Sequence, residues 1–272
     1  MGKLTGKTIL ITGANGGFGR EFTEQLLEEG ARLILTSRNE AALRSFAEEA
    51  KRKYATGAVI AVIVADISTT DGCRELYAKT KAVVQEIDIL INNAGLLTYG
   101  YFHETPVDAW RKVLQLNLFS TMELTALFLP DMIARKQGQI VFLSSTAGFI
   151  PSSYQTAYSV SKFGVRGFAM ALADEVTPFG VDITVIYPFW SDTDMLKSPA
   201  FGTKRPKKLS PHMVVSPEKI VRTSIRGIKR QKRHVYPDVF AKLFWWINRV
   251  YPIIGRQPME PVVGGPEAGG KA

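Results

Sequence analysis

A phenol and a primary amine four residues apart, Tyr158 and Lys162, lie on one side of any helix that carries them. A phenol can give or take a proton, and a neighbouring ammonium favours its ionised form. Thirteen residues before Tyr158, Ser145 ends an apolar run, Gln139 to Leu143, followed by Ser144. A hydroxyl donor beside a phenol is suited to polarising a carbonyl oxygen and protonating it as charge develops there. A second pattern concerns phosphate. Thr8 to Thr12 is a short apolar run, and Gly13-Ala14-Asn15-Gly16-Gly17-Phe18-Gly19 follows it. Phe22, Leu26 and Leu27 then recur at helical spacing up to Gly30. Strand, glycine turn and helix together aim backbone N–H groups at a phosphate.

The elements that must hold these groups alternate in type. Apolar strands are expected at 8–12, 32–37, 58–64, 87–91, 139–143 and 182–186, with a short one near 234–236. Helices are expected between them, including one around 41–50 capped by Asn39, a long one over about 106–135 kinked at Pro130, and one carrying Tyr158 and Lys162 to about Thr177. The fold class is therefore α/β, a Rossmann-type doubly wound parallel sheet flanked by helices on both faces. Its carboxyl edge collects the glycine loop, Asn92-Asn93-Ala94-Gly95, Ser145 and Tyr187-Pro188. At the end of the second strand stand Ser37 and Arg38, with no carboxylate. An acid there would bind ribose hydroxyls and an Arg a 2′-phosphate, so NADP is favoured over NAD. Asp66, after the third strand, suits either an adenine amino group or a helix cap, for which Ser68 and Thr69 compete. Asn117 is a poor mid-helix choice, which points to a specific hydrogen-bonding role.

Composition narrows the setting. The 272 residues suit one large domain, 1–256, followed by a Gly- and Pro-rich tail, 257–272, expected to be disordered. The single cysteine, Cys73, excludes an internal disulfide and fits a reducing cytoplasm. His103, His212 and His234 are scattered, so no metal site is expected. No signal peptide is expected, and no apolar run is expected to reach the length of a membrane span. Part of the net charge of +9 comes from Lys204, Arg205, Lys207 and Lys208, then Lys229, Arg230, Lys232 and Arg233. A solvated surface, an anionic membrane and an anionic substrate all fit this excess, whereas no nucleic-acid motif accompanies it.

Taken together and in order, Thr12-Gly-x-x-x-Gly17-x-Gly19, Asn92-Asn93-Ala94-Gly95, Asn117, Ser145 and Tyr158-x-x-x-Lys162 resemble the short-chain dehydrogenase/reductase family, in its compact single-domain branch. The resemblance covers about residues 6–236. It implies a nicotinamide cofactor, NADP(H) with NAD(H) as runner-up, and a catalytic set of Asn117, Ser145, Tyr158 and Lys162. In that set Tyr158 is the general acid/base, Lys162 lowers its pKa and bonds the nicotinamide ribose, Ser145 polarises the carbonyl, and Asn117 holds a water linked to the lysine. It also implies that Gly13, Gly17 and Gly19 cradle the pyrophosphate, Asp66 meets adenine, Asn93 lies beside the adenosine ribose and Thr193 bonds the carboxamide. Asn15, Phe18, Ser37, Arg38, Ile67, Ala94 and Pro188 complete the cofactor-binding set. A homodimer or homotetramer acting on a small molecule is expected. One departure is Phe189, which follows Pro188 where the family usually has glycine.

Two later segments bear on the substrate. Residues 189–217 are rich in Pro, Ser, Gly and Lys, as expected of a lid. Residues 237–254 form an apolar helix too short to span a bilayer, with Trp245 and Trp246 in its middle. Packing on the domain or a partner subunit, peripheral membrane contact through 239–254, and a cover for the substrate site are all open to it. Each favours a lipophilic carbonyl substrate. An NAD-dependent alcohol dehydrogenase and a non-catalytic dinucleotide sensor are the competing functions.

Overall fold

The computed structural model describes residues 4–205 and 211–250. Lys207, Lys208 and the 257–272 tail lie outside them, as do the last residues of the apolar C-terminal segment.

Seven strands form one parallel sheet in the order β3-β2-β1-β4-β5-β6-β7. They are β1 (Thr8–Thr12), β2 (Arg32–Ser37), β3 (Ala58–Val64), β4 (Ile89–Asn92), β5 (Gly138–Leu143), β6 (Val181–Ile186) and β7 (His234–Val235). The central strands are apolar at nearly every position because both faces are covered. Alternate residues serve opposite layers. Leu10, Leu90, Ile140 and Val185 face α3 (Thr70–Val83), α5 (Ser120–Ala134) and α6 (Thr156–Val176). Ile9, Ile11, Ile91 and Val141 face α1 (Gly17–Glu28), α2 (Glu40–Lys53) and α7 (Pro217–Lys229). The strand order reverses between β1 and β4, so the crevice for a ligand opens there, at the carboxyl ends.

The caps follow from local chemistry. Asn39 accepts from the Ala42 N–H at 3.1 Å and Ser216 from that of Lys219 at 3.3 Å, each satisfying an orphan donor of the helix it starts. Thr69 caps α3 through the Gly72 N–H at 3.0 Å. Asp66 therefore does not cap α3; its Oδ1 accepts from the N–H and hydroxyl of Ser68 at 3.0 and 2.7 Å.

Three expectations change. The long helix is not uniform: α4 (Val107–Leu114) passes through a π turn, Gln115–Phe119, into α5, with Asn117 at the centre of that turn. Together these reach 28 residues, Val107–Ala134, apolar and long enough to cross a bilayer. Polar residues interrupt the stretch, so a search for apolar runs passes over it. Its Leu124, Phe128 and Met132 are buried in the core beside the sheet, which accounts for its apolar face. The segment 189–217, expected to lack regular structure, is stitched down in part. Tyr99 pairs with Ala200 and Ser191 with Val215, and a short 3-10 turn spans Asp194–Lys197.

Candidate active site

At the carboxyl edge, β1 hands over to α1 through the glycine loop. Gly13 has φ +64°, a left-handed conformation that a Cβ would strain, and a Cβ there would also lie 3.0 Å from the backbone of Ala94. Thr12 and Asn93 fix the loop. The Thr12 hydroxyl accepts from the N–H groups of Asn93 and Ala94, both at 3.0 Å, while the Asn93 amide donates to the carbonyls of Thr12 (2.8 Å) and Gly13 (3.1 Å). The N-cap of α1 is Gly16, with no side-chain cap and no acid in the first turn. Its orphan N–H groups and positive dipole end are left for an anion.

A groove of about 330 Å³ runs from this helix end across β1, β2 and β3. It gathers Gly13, Asn15, Gly17, Phe18, Ser37, Arg38, Asp66, Ile67, Asn93, Ala94 and Thr193. Gly19 is buried in the first turn of α1 beneath it. Asp66 is held below its ordinary pKa by the Ser68 hydroxyl, with Arg38 adding its charge, so it stays ionised. Thr193 closes over the loop so tightly that a Cβ on Gly17 would come 2.5 Å from its methyl group. The groove, the uncapped helix end and the glycine contacts fit a nicotinamide dinucleotide, whose pyrophosphate α1 would hold and whose adenosine Arg38 and Asp66 would meet.

Beyond Thr193 lies a second pocket, about 80 Å³, that shares Phe18, Asn93, Thr193 and Met195 with the groove. Ser145, Tyr158, Lys162 and Pro188 line it. The Ser145 Oγ, at the end of β5, accepts from the Ala147 N–H at 3.1 Å. Burial pushes the Tyr158 phenol up to about 12, and its hydrogen bond with Ser145 pulls the other way. Burial pulls the Lys162 ammonium down to about 8. The expected lowering of the Tyr158 pKa by Lys162 is not present. Lys162 Nζ lies 5.5 Å from the centre of the Tyr158 ring and donates to the Leu143 carbonyl at 2.7 Å, so burial dominates the phenol.

Asn117 stands one step back. Its Oδ1 accepts from the Leu96 N–H at 2.7 Å, and its Nδ2 donates to the Leu96 carbonyl at 2.9 Å and to Ser161 Oγ at 3.0 Å. The side-chain amide thus ties α6 to the segment after β4, and makes no described hydrogen bond to Lys162. A π turn spends one extra residue to re-aim a side chain, as happens often at functional sites. Phe189 is buried in the pocket wall. It stacks on Phe244 of α8 (Val239–Val250) and meets Phe240 at a tilt, with ring centres 5.2 Å away in each case. Its N–H donates to Asp238 at 3.0 Å, and the other Asp238 oxygen caps α8 at Ala241. Gln155 and Met195 line the pocket without having stood out in the sequence, and Thr12 stood there only as the start of the glycine motif, not as the hydroxyl that fixes the loop. Thr12 carried a signal, a hydroxyl at the last position of an apolar strand, whereas the other two carried none.

The chain matches the short chain dehydrogenase family over residues 7–200. It is 34% identical over 212 residues to an uncharacterized oxidoreductase of Staphylococcus saprophyticus, covering 78% of this chain and 88% of that one. It is 35% identical over 195 residues to a 3-oxoacyl-[acyl-carrier-protein] reductase of Aquifex aeolicus, covering 71% and 77%. Among solved structures, a metagenomic short-chain oxidoreductase in complex with NADP superimposes with a TM-score of 0.69 at 26% identity, covering 86% and 97%. The match to the family takes in the glycine loop, the Asn117 turn and the whole Ser145–Tyr158–Lys162 pocket, and the chain is an NAD(P)-dependent oxidoreductase of the short-chain dehydrogenase family.

Proposed function

We propose that this enzyme reduces a lipophilic ketone or aldehyde to an alcohol with NADPH. The observation that carries the reading is the convergence of Ser145, Tyr158 and Lys162 in a small pocket that opens onto the dinucleotide groove at Thr193 and Met195. When bound, the cofactor supplies the hydride. Ser145 donates to the substrate carbonyl oxygen and holds it beside Tyr158, which delivers the phenol proton as charge develops on that oxygen. A phenol pushed up to about 12 is protonated at neutral pH, the form in which it can donate to a carbonyl oxygen. Lys162, which lines the same pocket and donates to the Leu143 carbonyl, is placed to bond the nicotinamide ribose.

The lipophilic part of the reading rests on the pocket wall, which includes Leu97, Phe189, Trp190, Met195 and Leu196. The naming of one relative as a 3-oxoacyl reductase is consistent with an acyl-type chain. Preference for NADPH rests on Arg38 beside Asp66, with no acid at the end of β2. Losing a charge-assisted hydrogen bond to the 2′-phosphate should weaken binding about 10- to 100-fold. Arg38→Ala is therefore expected to raise the NADPH dissociation constant by that factor and to leave NADH binding within about twofold, measured by fluorescence titration. Equal effects on both nucleotides would remove the argument for NADPH.

The outer face of α8 supports peripheral membrane contact. Val239, Leu243, Trp246 and Val250 are 45–74% exposed and recur at one helical stripe, with Lys242 and Arg249 exposed beside it. Trp246→Glu should abolish co-flotation of the full chain with anionic liposomes. Wild-type protein left at the bottom of the gradient would refute the contact.

A further inference from the structure

Asp238 is a buried carboxylate that the proton relay does not use. It is 6% exposed and stands just before α8. Its Oδ1 accepts from the Ala241 N–H at 2.8 Å and so caps α8, while its Oδ2 accepts from the Phe189 N–H at 3.0 Å, in the wall of the catalytic pocket. Capping alone needs one oxygen, and serine or asparagine supplies it without burying a charge. Burial pushes the Asp238 carboxyl above its ordinary range, against the pull of the Ala241, Phe189 and Phe240 N–H groups and the charge of Lys242. Its folded pKa thus stands above the unfolded value, so stability falls as pH rises through that interval, and the ionised side chain costs the fold at neutral pH. A charge kept in a buried place at that cost points to a use other than stability.

The peptide that Asp238 holds leads to the reacting groups. A trans peptide points its N–H and C=O in opposite directions, so the unit joining Pro188 to Phe189 is gripped from both sides. On the N–H side stands the Asp238 carboxylate. On the other, the Pro188 carbonyl accepts from the Thr146 N–H at 3.0 Å and from the Ser145 hydroxyl at 3.5 Å. Ser145 Oγ accepts in turn from the Ala147 N–H, so two of its directions are fixed. The 3-10 turn Thr146–Gly148, which Ser145 caps, is tied to the same carbonyl. A charged acceptor on the N–H of a peptide polarises it and strengthens the carbonyl at its other end. The Ser145 bond is long enough to be exchanged for one to a substrate oxygen, yet it aims the hydroxyl beforehand.

We propose that Asp238 is a positioning residue for Ser145. Through the Pro188–Phe189 peptide it sets the acceptor that holds the serine hydroxyl before a substrate carbonyl arrives, and it ties that alignment to the docking of α8. Phe189 strengthens the tie, since its ring packs on Phe240 and Phe244 of the helix that Asp238 caps. The carboxylate touches neither substrate nor cofactor in this role. It acts on the direction of the donor that polarises the carbonyl, and a small error in that direction is costly in rate. The inference rests on the reductase reading and adds to it the group that keeps the serine in register.

The test is a double-mutant cycle of Asp238→Asn with Ser145→Ala, followed as NADPH consumption with an aliphatic ketone. Asparagine keeps one oxygen for the Ala241 cap and turns its own N–H groups toward that of Phe189, so the helix stays capped while the peptide loses its acceptor. Asp238→Asn is expected to lower kcat by roughly 10- to 100-fold, with the NADPH dissociation constant within about twofold of wild type. In the Ser145→Ala background the same change should cost less than about threefold, because the group it aligns is gone. Amide hydrogen exchange at Thr146, followed by mass spectrometry, should quicken in Asp238→Asn. Equal losses in the two backgrounds overturn the proposal, as does a kcat or a Thr146 exchange rate unchanged from wild type. Asp238→Ser, which keeps the cap with a shorter side chain, takes the place of the asparagine variant if that one does not fold. Failure of both to fold would assign the carboxylate to the fold alone and overturn the proposal too. Absence of turnover by wild type with any ketone would instead bring down the reductase reading, and this inference with it.

Discussion

Replacing Tyr158 by Phe is expected to lower kcat by at least about 10²- to 10⁴-fold, the usual contribution of a positioned general acid, while dinucleotide binding is retained. The substitution removes one oxygen from a side chain buried in the pocket wall, and the ring stays in its apolar cluster with Leu97, Val113, Ala147 and Ala157. Stability should therefore hold, and the loss should fall on kcat rather than on cofactor affinity. The pH dependence has a definite sign. The phenol stands at about 12, so reduction uses the form present throughout the neutral range, and its rate should stay flat until the pH rises well above 9. Alcohol oxidation needs the tyrosinate and should climb with pH over the same interval. A fall in the reductive kcat/KM as pH rises through the neutral range would mean that some other group, titrating there, delivers the proton. Titrating NADPH into Tyr158→Phe by fluorescence, beside the steady-state assay, separates loss of chemistry from loss of the fold.

The second large effect is expected at Asn117. Asn117→Leu has similar volume but offers neither donor nor acceptor. It strands the N–H and carbonyl of Leu96 and removes a bond to Ser161. Each buried polar group left unpaired costs about 1–3 kcal/mol, so a destabilisation of about 3–5 kcal/mol follows. For a domain of this size that corresponds to a fall in melting temperature of roughly 10 °C. Leu97, next to the unclamped residue, lines the catalytic pocket, so activity should fall as well, even in the protein that remains folded. A shift in urea midpoint with unchanged slope would identify the loss as one of native-state bonding. Wild-type stability in this variant would show that the clamp carries no weight.

How far the sequence reaches depends on the kind of interaction. Parallel strands buried on both faces must be apolar throughout, and glycine is required where Gly13 turns left-handed, so the sheet, its ligand edge and the phosphate loop are legible from residue types. The Ser145, Tyr158 and Lys162 set is legible because each residue sits at an element end or one helical turn from another. Other features depend on geometry that residue identity does not encode. The π turn around Asn117 is one additional residue per turn, and no residue type marks it. The choice of Lys162 between the phenol and the Leu143 carbonyl is a matter of rotamer. The anchoring of the 189–217 segment runs through backbone pairing of Tyr99 with Ala200 and Ser191 with Val215, and through hydroxyls of Ser191 and Thr203 bonded to the Val215 carbonyl and Glu104, partners that sequence spacing does not reveal. On α8 both faces are apolar. Periodicity alone could not say that Phe240 and Phe244 turn toward Phe189 while Leu243 and Trp246 face outward. Phe189 is the case where a departure from the family pattern gains a physical account. An aromatic side chain at that position holds the C-terminal helix against the substrate wall, with Asp238 bonding both.

The central claim is proton delivery by Tyr158 to a carbonyl oxygen during reduction by NADPH. Its most direct test is the decay of NADPH absorbance when wild type and Tyr158→Phe, each saturated with NADPH, are mixed with a series of ketones and keto esters graded in size and hydrophobicity. The account predicts turnover by wild type that rises with the apolar bulk of the substrate, and none above background by the variant at equal nucleotide occupancy. Consumption of NADPH by Tyr158→Phe at the wild-type rate would contradict it.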